Sequence, residues 1–251
     1  TLPNVYLIHG LSGSPAVMEP VTAVLKERGH FVSCPTLAGH SGSGEGLLTV
    51  RWEEWVAPLE LDIRAQVRKK GPVALGGLSL GAVIAAYITS QHPTWVQSLT
   101  LMAPAFFISP WISRLAIPIL RQQPFRNWFP WSTKTYENSV ADPDGLAIYK
   151  TLGHPRLAIH SIAQMLDLSA LTQRTLGSIV APTLVVHSVH DHVTPIRNAE
   201  WVCRHIGSTT VEVMIVRRSQ HVLTLDYDRI IMANAMADFI DQHMEPIRII
   251  S

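Results

Sequence analysis

Between Lys70 and Arg114 the chain carries no Asp, Glu, Lys or Arg. Charged side chains mark solvent-facing surface, so a stretch without them is interior. Gly76, Gly77, Gly81, His92, Pro93 and Pro104 interrupt it. No part therefore reaches the ~20 predominantly apolar residues that a membrane span needs. What remains reads as buried strand, buried helix, buried strand: PVALGGL (72–78), LGAVIAAYITSQ (80–91) and SLTLMA (98–103). Apolar runs of this kind suit parallel strands covered on both faces by helices.

The flanking sequence repeats the rhythm. NVYLIH (4–9) is a short apolar run, and SPAVMEPVTAVLKERG (14–29) has Val17, Val21, Val24 and Leu25 at helical spacing. Ser14 is expected as its N-cap, Pro15 at its first position and Gly29 as its stop. HFVSCP (30–35) predicts a strand, TLAGHSGSGEG (36–46) a loop, and RWEEWVAPLELDIRAQVRKK (51–70) an amphipathic helix despite Pro58. Late in the chain PTLVVHS (182–188) and VEVMIV (211–216) read as strands, PIRNAEWVCRHIG (195–207) and YDRIIMANAMADFIDQHM (227–244) as helices. Strands alternating with helices predict a doubly wound, mostly parallel sheet. From Pro104 to about Gly177 the pattern gives no strand, only aromatics and prolines followed by helical pieces. The expected organisation is an α/β core over 1–103 and 178–251, with a helical cap inserted at 104–177.

The 251 residues, 47% of them apolar, suffice for one large domain with a sizeable core. A formal net charge of +1 gives no footprint for nucleic acid. Cys34 and Cys203 are too few for a disulfide framework and fit a reducing, cytoplasmic setting. TLPNVYLIHG lacks the basic start of a secretory signal, and no stable membrane insertion is expected.

Inside the charge-free stretch, Gly77-Leu78-Ser79-Leu80-Gly81 matches G-x-S-x-G. Its context is strand, motif, helix, as a nucleophile elbow requires. A tight strand-to-helix turn lifts the serine hydroxyl above the sheet, and neighbouring backbone passes where side chains at 77 and 81 would stand. The helix begins under the serine, so its free N–H groups favour negative charge there. The plain alternative is that the glycines only allow close packing and Ser79 only caps the helix.

A serine hydroxyl needs a base. Asp191 falls in the loop after one late strand and His221 in the loop after the next, the order such a site requires. His187, His190 and His192 surround Asp191, but they straddle a strand end and its loop, and no metal is expected. Asp226 is the rival acid; it reads as the cap or first-turn acid of the last helix. His154 and His160 read as surface or core histidines. The Leu80 N–H and, from the loop HGL (9–11), the Leu11 N–H are expected to form an oxyanion hole. Gly10 lets that backbone approach the substrate, and His9 is read as holding the loop.

These pieces resemble the α/β-hydrolases, and within them bacterial carboxylesterases and monoacylglycerol lipases. The resemblance is carried by LIHGLSGSP, the GH of LAGHSGSG, RWEEW, GGLSLG, APTLVVHSVHDHVTP and SQHVLTLDYD, from Asn4 to about His243. It implies the α/β-hydrolase fold with Ser79 as nucleophile, Asp191 as acid, His221 as base, Leu11 and Leu80 as oxyanion donors, and no cofactor. The chain departs from that pattern at Ala82 and at Gln220, where glycine is usual. The implied reaction is hydrolysis of a small-molecule carboxylic ester, a short- to medium-chain acyl ester or a monoacylglycerol, through an acyl-enzyme. A thioesterase, an amidase or a carbon–carbon bond hydrolase would share the fold, and a non-catalytic binding protein would lack an intact triad. Phe106, Phe107, Trp111, Phe125, Trp128, Phe129 and Trp131 crowd the insertion. They pack the cap, line an acyl pocket, or touch lipid, the last ranked lowest because the prolines break the helix that an interfacial segment needs; Phe106, Phe107, Trp111 and Trp128, with Val193 and Val222 of the late loops, are the expected substrate contacts. The sequence does not set the oligomeric state.

Overall fold

The computed structural model describes residues 4–109, 130–134 and 136–243. Six strands form one parallel sheet: β1 (Asn4–Ile8), β2 (Phe31–Ser33), β3 (Val73–Leu78), β4 (Val96–Met102), β7 (Thr183–Ser188) and β8 (Val211–Val216), in the order β2-β1-β3-β4-β7-β8. Helices α1 (Glu19–Glu27), α2 (Trp52–Lys70), α3 (Leu80–Gln91), α6 (Arg197–His205) and α7 (Arg229–Gln242) connect or follow them. β3 is buried at every position, as its unbroken apolar run requires. One core lies between the sheet and α2, α3 and α6, with Trp55, Ile63, Val83 and Val202 in it. The other lies under α1 and α7, with Leu25, Met232 and Phe239. Strand order reverses between β1 and β3, and ligand clefts of open α/β sheets form beyond the strand ends at such a point.

Pro58 sits within α2, which runs through it. The first helical segment differs from expectation. A 3₁₀ turn over Pro15–Met18 precedes α1, and the Ser14 hydroxyl caps nothing; it donates to the Leu152 carbonyl at 3.4 Å instead. Gly29 ends the segment at φ 85°.

The described part of 104–177, expected to be helical, is not wholly so. β5 (Trp131–Thr133) and β6 (Arg156–Ala158) pair antiparallel, flanking α4 (Pro143–Leu152). Three residues each are too few to show an alternating pattern in sequence. α5 (Ile159–Thr175) then packs on α3, its Ile162, Met165 and Leu168 joining the α2–α3 core. The end of that segment is thus built into the core layer. Among the described residues no helix is long and apolar enough to cross a membrane.

Candidate active site

Ser79 stands between the end of β3 and the start of α3 at φ 58° and ψ −113°. That backbone region is strained for a residue with a Cβ, and persists only where the surroundings enforce it. Here they do. The Ser79 N–H donates to the Met102 carbonyl at 2.9 Å, and its carbonyl accepts from Ala82 and Val83 at 3.1 and 3.3 Å. A Cβ on Gly77 would stand 2.1 Å from the Gly81 oxygen, and one on Gly81 would stand 2.0 Å from the Ile8 oxygen. Glycine at both positions is therefore what lets strand, turn and helix close up.

The Ser79 Oγ lies 3.0 Å from Nε2 of His221, and Nδ1 of His221 lies 2.8 Å from Oδ2 of Asp191. With the Nδ1 proton donated to the carboxylate, Nε2 is free to accept from the serine hydroxyl. Asp191 is held from several sides. Its Oδ1 accepts from the Val193 and Thr194 N–H groups, each at 2.8 Å, and its Oδ2 from the Thr194 hydroxyl at 2.8 Å. Burial alone would raise the Asp191 carboxyl; the neighbouring His221 with its hydrogen bond, His187 and the Thr194 N–H outweigh it and hold the group below its ordinary range.

The loop after β1 lies against the elbow. A Cβ on Gly10 would touch the Leu78 oxygen at 3.3 Å and the Ser79 Cβ at 3.4 Å. His9 fixes the loop. Its Nδ1 donates to the Gly10 carbonyl at 3.0 Å and its Nε2 accepts from the Leu37 N–H at 3.1 Å. Burial lowers the His9 imidazole to about 4 and that of neighbouring His40 to about 3, so both are neutral. Leu80 opens α3, where N–H groups have no carbonyl four residues back within the helix. A cavity of about 500 Å³ spreads from this point, lined by Gly10, Leu11, Ser79, Val193, His221 and Val222 among others.

Residues 3–228 match the hydrolase family described as serine aminopeptidase, S33. The chain belongs to that family. It is 28% identical over 241 residues to a thermostable monoacylglycerol lipase of a Bacillus species, covering 96% of this chain and 91% of that protein. It is 24% identical over 241 residues to a carboxylesterase of Bacillus subtilis, covering 95% and 92%. A solved structure of a metagenome-derived lipolytic enzyme superposes with a TM-score of 0.85 at 22% identity, over 97% of this chain and 95% of that one. The protein is an esterase/lipase-type hydrolase with the α/β-hydrolase fold.

Within this hydrolase several expected positions lie elsewhere. Phe106 and Phe107 do not line the cavity. Both rings pack on Trp201 of α6, at 5.4 and 5.3 Å between centres. Asn198 fixes the segment there, accepting from the Phe107 N–H at 2.7 Å and donating to its carbonyl at 2.8 Å. Trp131 faces Arg156 at 4.6 Å across the β5–β6 pair. Trp111 and Trp128, with Phe125 and Phe129, lie outside the described residues. The described apolar wall is formed instead by Val17, Ile108, Leu157, Ile162 and Met165, with Tyr149 as its aromatic member.

Asp226 does not cap the last helix; Asp228 takes the N-cap position of α7. Fully buried, Asp226 accepts from the N–H groups of Ala141, Asp142, Gln220 and Tyr227 at 2.7 to 2.9 Å. It clamps the His221 loop to the insertion. Two residues escaped the sequence reading. Thr194 bonds Asp191 and stands 3.3 Å from His221 Nδ1; its only sequence signal is its place three residues after the acid. Lys134, also on the cavity wall, carries no signal at all. His187 is buried within β7 and its Nδ1 donates to the Ser188 carbonyl, whereas His190 and His192 are exposed. His154 and His160 tie the insertion to the core, each placing Nε2 near a carbonyl, of His40 and Val50, at 3.0 and 2.9 Å.

Proposed function

We propose that the protein hydrolyses short- to medium-chain carboxylic esters or monoacylglycerols through an acyl-enzyme on Ser79. The observation that carries this reading is the chain of contacts from Ser79 through His221 to Asp191, with Ser79 and His221 on the wall of a largely apolar cavity. Ser79 Oγ attacks the ester carbonyl carbon while its proton passes to His221 Nε2. The carbonyl oxygen becomes an oxyanion, met by the Leu11 and Leu80 N–H groups. The intermediate collapses, the bond to the alkoxy oxygen breaks, and His221 returns the proton to the departing alcohol. Water then attacks the acyl-enzyme by the same route, releasing the carboxylic acid and restoring Ser79. Asp191 keeps the imidazole in the required tautomer and stabilises its charged form. The proposal includes a cap formed by 104–177 over this site. Support for a cytoplasmic location is the pair of free cysteines, Cys34 and Cys203.

The test is labelling by a fluorophosphonate probe together with turnover of para-nitrophenyl esters. Wild type is expected to be labelled at Ser79. Ser79→Ala is expected to lose labelling and roughly 10⁴-fold or more in turnover while remaining folded. Retention of a tenth of the activity would exclude Ser79 as the nucleophile.

A further inference from the structure

Lys134 follows β5 on the wall of the cavity that contains Ser79. The residue is 9% exposed. Its Nζ donates to the Ser12 hydroxyl at 3.0 Å and lies 4.1 Å from the centre of the Tyr149 ring and 5.2 Å from that of Tyr136. Ser12 and Tyr149 line the same cavity, so the ammonium belongs to its wall. Ser12 is fixed in turn, at φ 56° and with its carbonyl accepting from the His154 N–H at 3.0 Å.

Among the described residues no carboxylate pairs with Lys134. Buried cations are normally paired. This one has a hydroxyl and two ring faces, and burial drives it down to about 7. An ammonium has three protons to donate, and Ser12 takes one. A ligand bringing negative charge into the cavity would complete the set and restore the charged form. Among the described lining residues Lys134 is the one Lys or Arg, which suits a single negative charge and not a phosphate dianion. Lys134 bonds none of Ser79, His221 and Asp191 among the described residues, so its part is recognition, not proton transfer.

We propose that Lys134 and Ser12 form a carboxylate-binding subsite, and that the preferred substrates are esters carrying a free carboxylate away from the scissile bond. The inference rests on the ester-hydrolase reading above and narrows its substrate class: a half-ester of a dicarboxylic acid, or an ester of a hydroxy acid, is preferred to a neutral ester of equal length.

The experiment compares kcat/KM for paired substrates. On the acyl side, the mono-para-nitrophenyl ester of glutarate is set against para-nitrophenyl pentanoate. On the alcohol side, the butyrate ester of a hydroxy acid is set against that of the matching neutral diol. Wild type is expected to favour the anionic member of at least one pair, and the favoured pair tells which side of the ester reaches Lys134. Lys134→Met is expected to lower that anionic-to-neutral ratio by roughly ten- to hundredfold, through KM more than kcat. Lys134→Arg is expected to keep most of it. If neither pair shows a preference in wild type, or if Lys134→Met leaves the ratio where it was, the subsite does not exist. Should Lys134→Met not fold, Lys134→Gln and the wild-type ratio by itself decide the matter. Failure of the ester-hydrolase reading looks different: no ester is turned over and Ser79 takes no fluorophosphonate label.

Discussion

Replacing Lys134 by Met is expected to make the protein more stable. The side chain keeps its length and loses its charge, in a place where burial holds the ammonium at about 7 against an ordinary 10.5. At about 1.4 kcal/mol per pH unit, that depression sets an upper bound of about 5 kcal/mol on what the fold loses by burying it. Two losses offset the gain on substitution. The Ser12 hydrogen bond is worth about 1 kcal/mol, and the cation–π contact with Tyr149 about 1–2 kcal/mol. The net gain is therefore at most about 2–3 kcal/mol, which for a chain of this size raises Tm by no more than roughly 4–12 °C. The sign with pH follows from linkage. A lysine depressed in the folded state costs stability in full below about 7, and the cost fades as the unfolded chain loses its proton towards 10.5. The neighbours on the facing elements are Tyr136 and Tyr149, both phenols raised by burial, so neither supplies a charge in that window. Thermal melts of both proteins at pH 6 and pH 9.5 are the assay. The Met variant should melt higher at pH 6, with a smaller difference at pH 9.5. A variant that melts lower at pH 6 would refute the reasoning, because it would show the ammonium to be well compensated where it lies.

Two further outcomes follow from the site. Asp191→Asn is expected to cut turnover by roughly 10³–10⁴, since in the proposed mechanism it orients and charge-stabilises His221; Asp226→Asn is expected to act chiefly on stability, by about 2–3 kcal/mol, because it weakens a buried clamp of four backbone donors. Denaturant titrations and steady-state rates on the two variants separate these, and the reverse ranking would mean the roles are exchanged. Acid should weaken the fold between pH 6.5 and about 4. His9 is neutral in the folded protein down to about 4, whereas the unfolded chain takes up its proton from 6.5 downwards, so stability falls as pH falls, by roughly 3 kcal/mol from this residue. His9→Gln, which cannot titrate, should show a flatter loss over that range; an unchanged slope would contradict it.

The order of strands and helices was legible in the sequence because it is written locally. An apolar run with no charge must be covered on both faces, and a glycine-boxed serine between strand and helix needs only its own neighbours to form the turn. The loops bearing Asp191 and His221 were legible for the same reason, each following an apolar strand. What the sequence left open depends on residues far apart in the chain. Which acid meets His221 is decided by where β7 and β8 end: Asp191 arrives at Nδ1, whereas Asp226 turns to backbone 85 positions earlier at Ala141. Phe106 and Phe107 look like pocket residues until Trp201 and Asn198 of α6 are seen to claim them. The β5–β6 pair is too short to have a pattern, and the place of Lys134 exists only because folding sets Ser12, 122 positions away, beside it. Periodicity and turn chemistry report what a residue's neighbours in sequence require. Partnership across the sheet depends on the register and twist that bring distant loops to one edge, and on which buried group finds a counter-charge there, which only the tertiary structure decides.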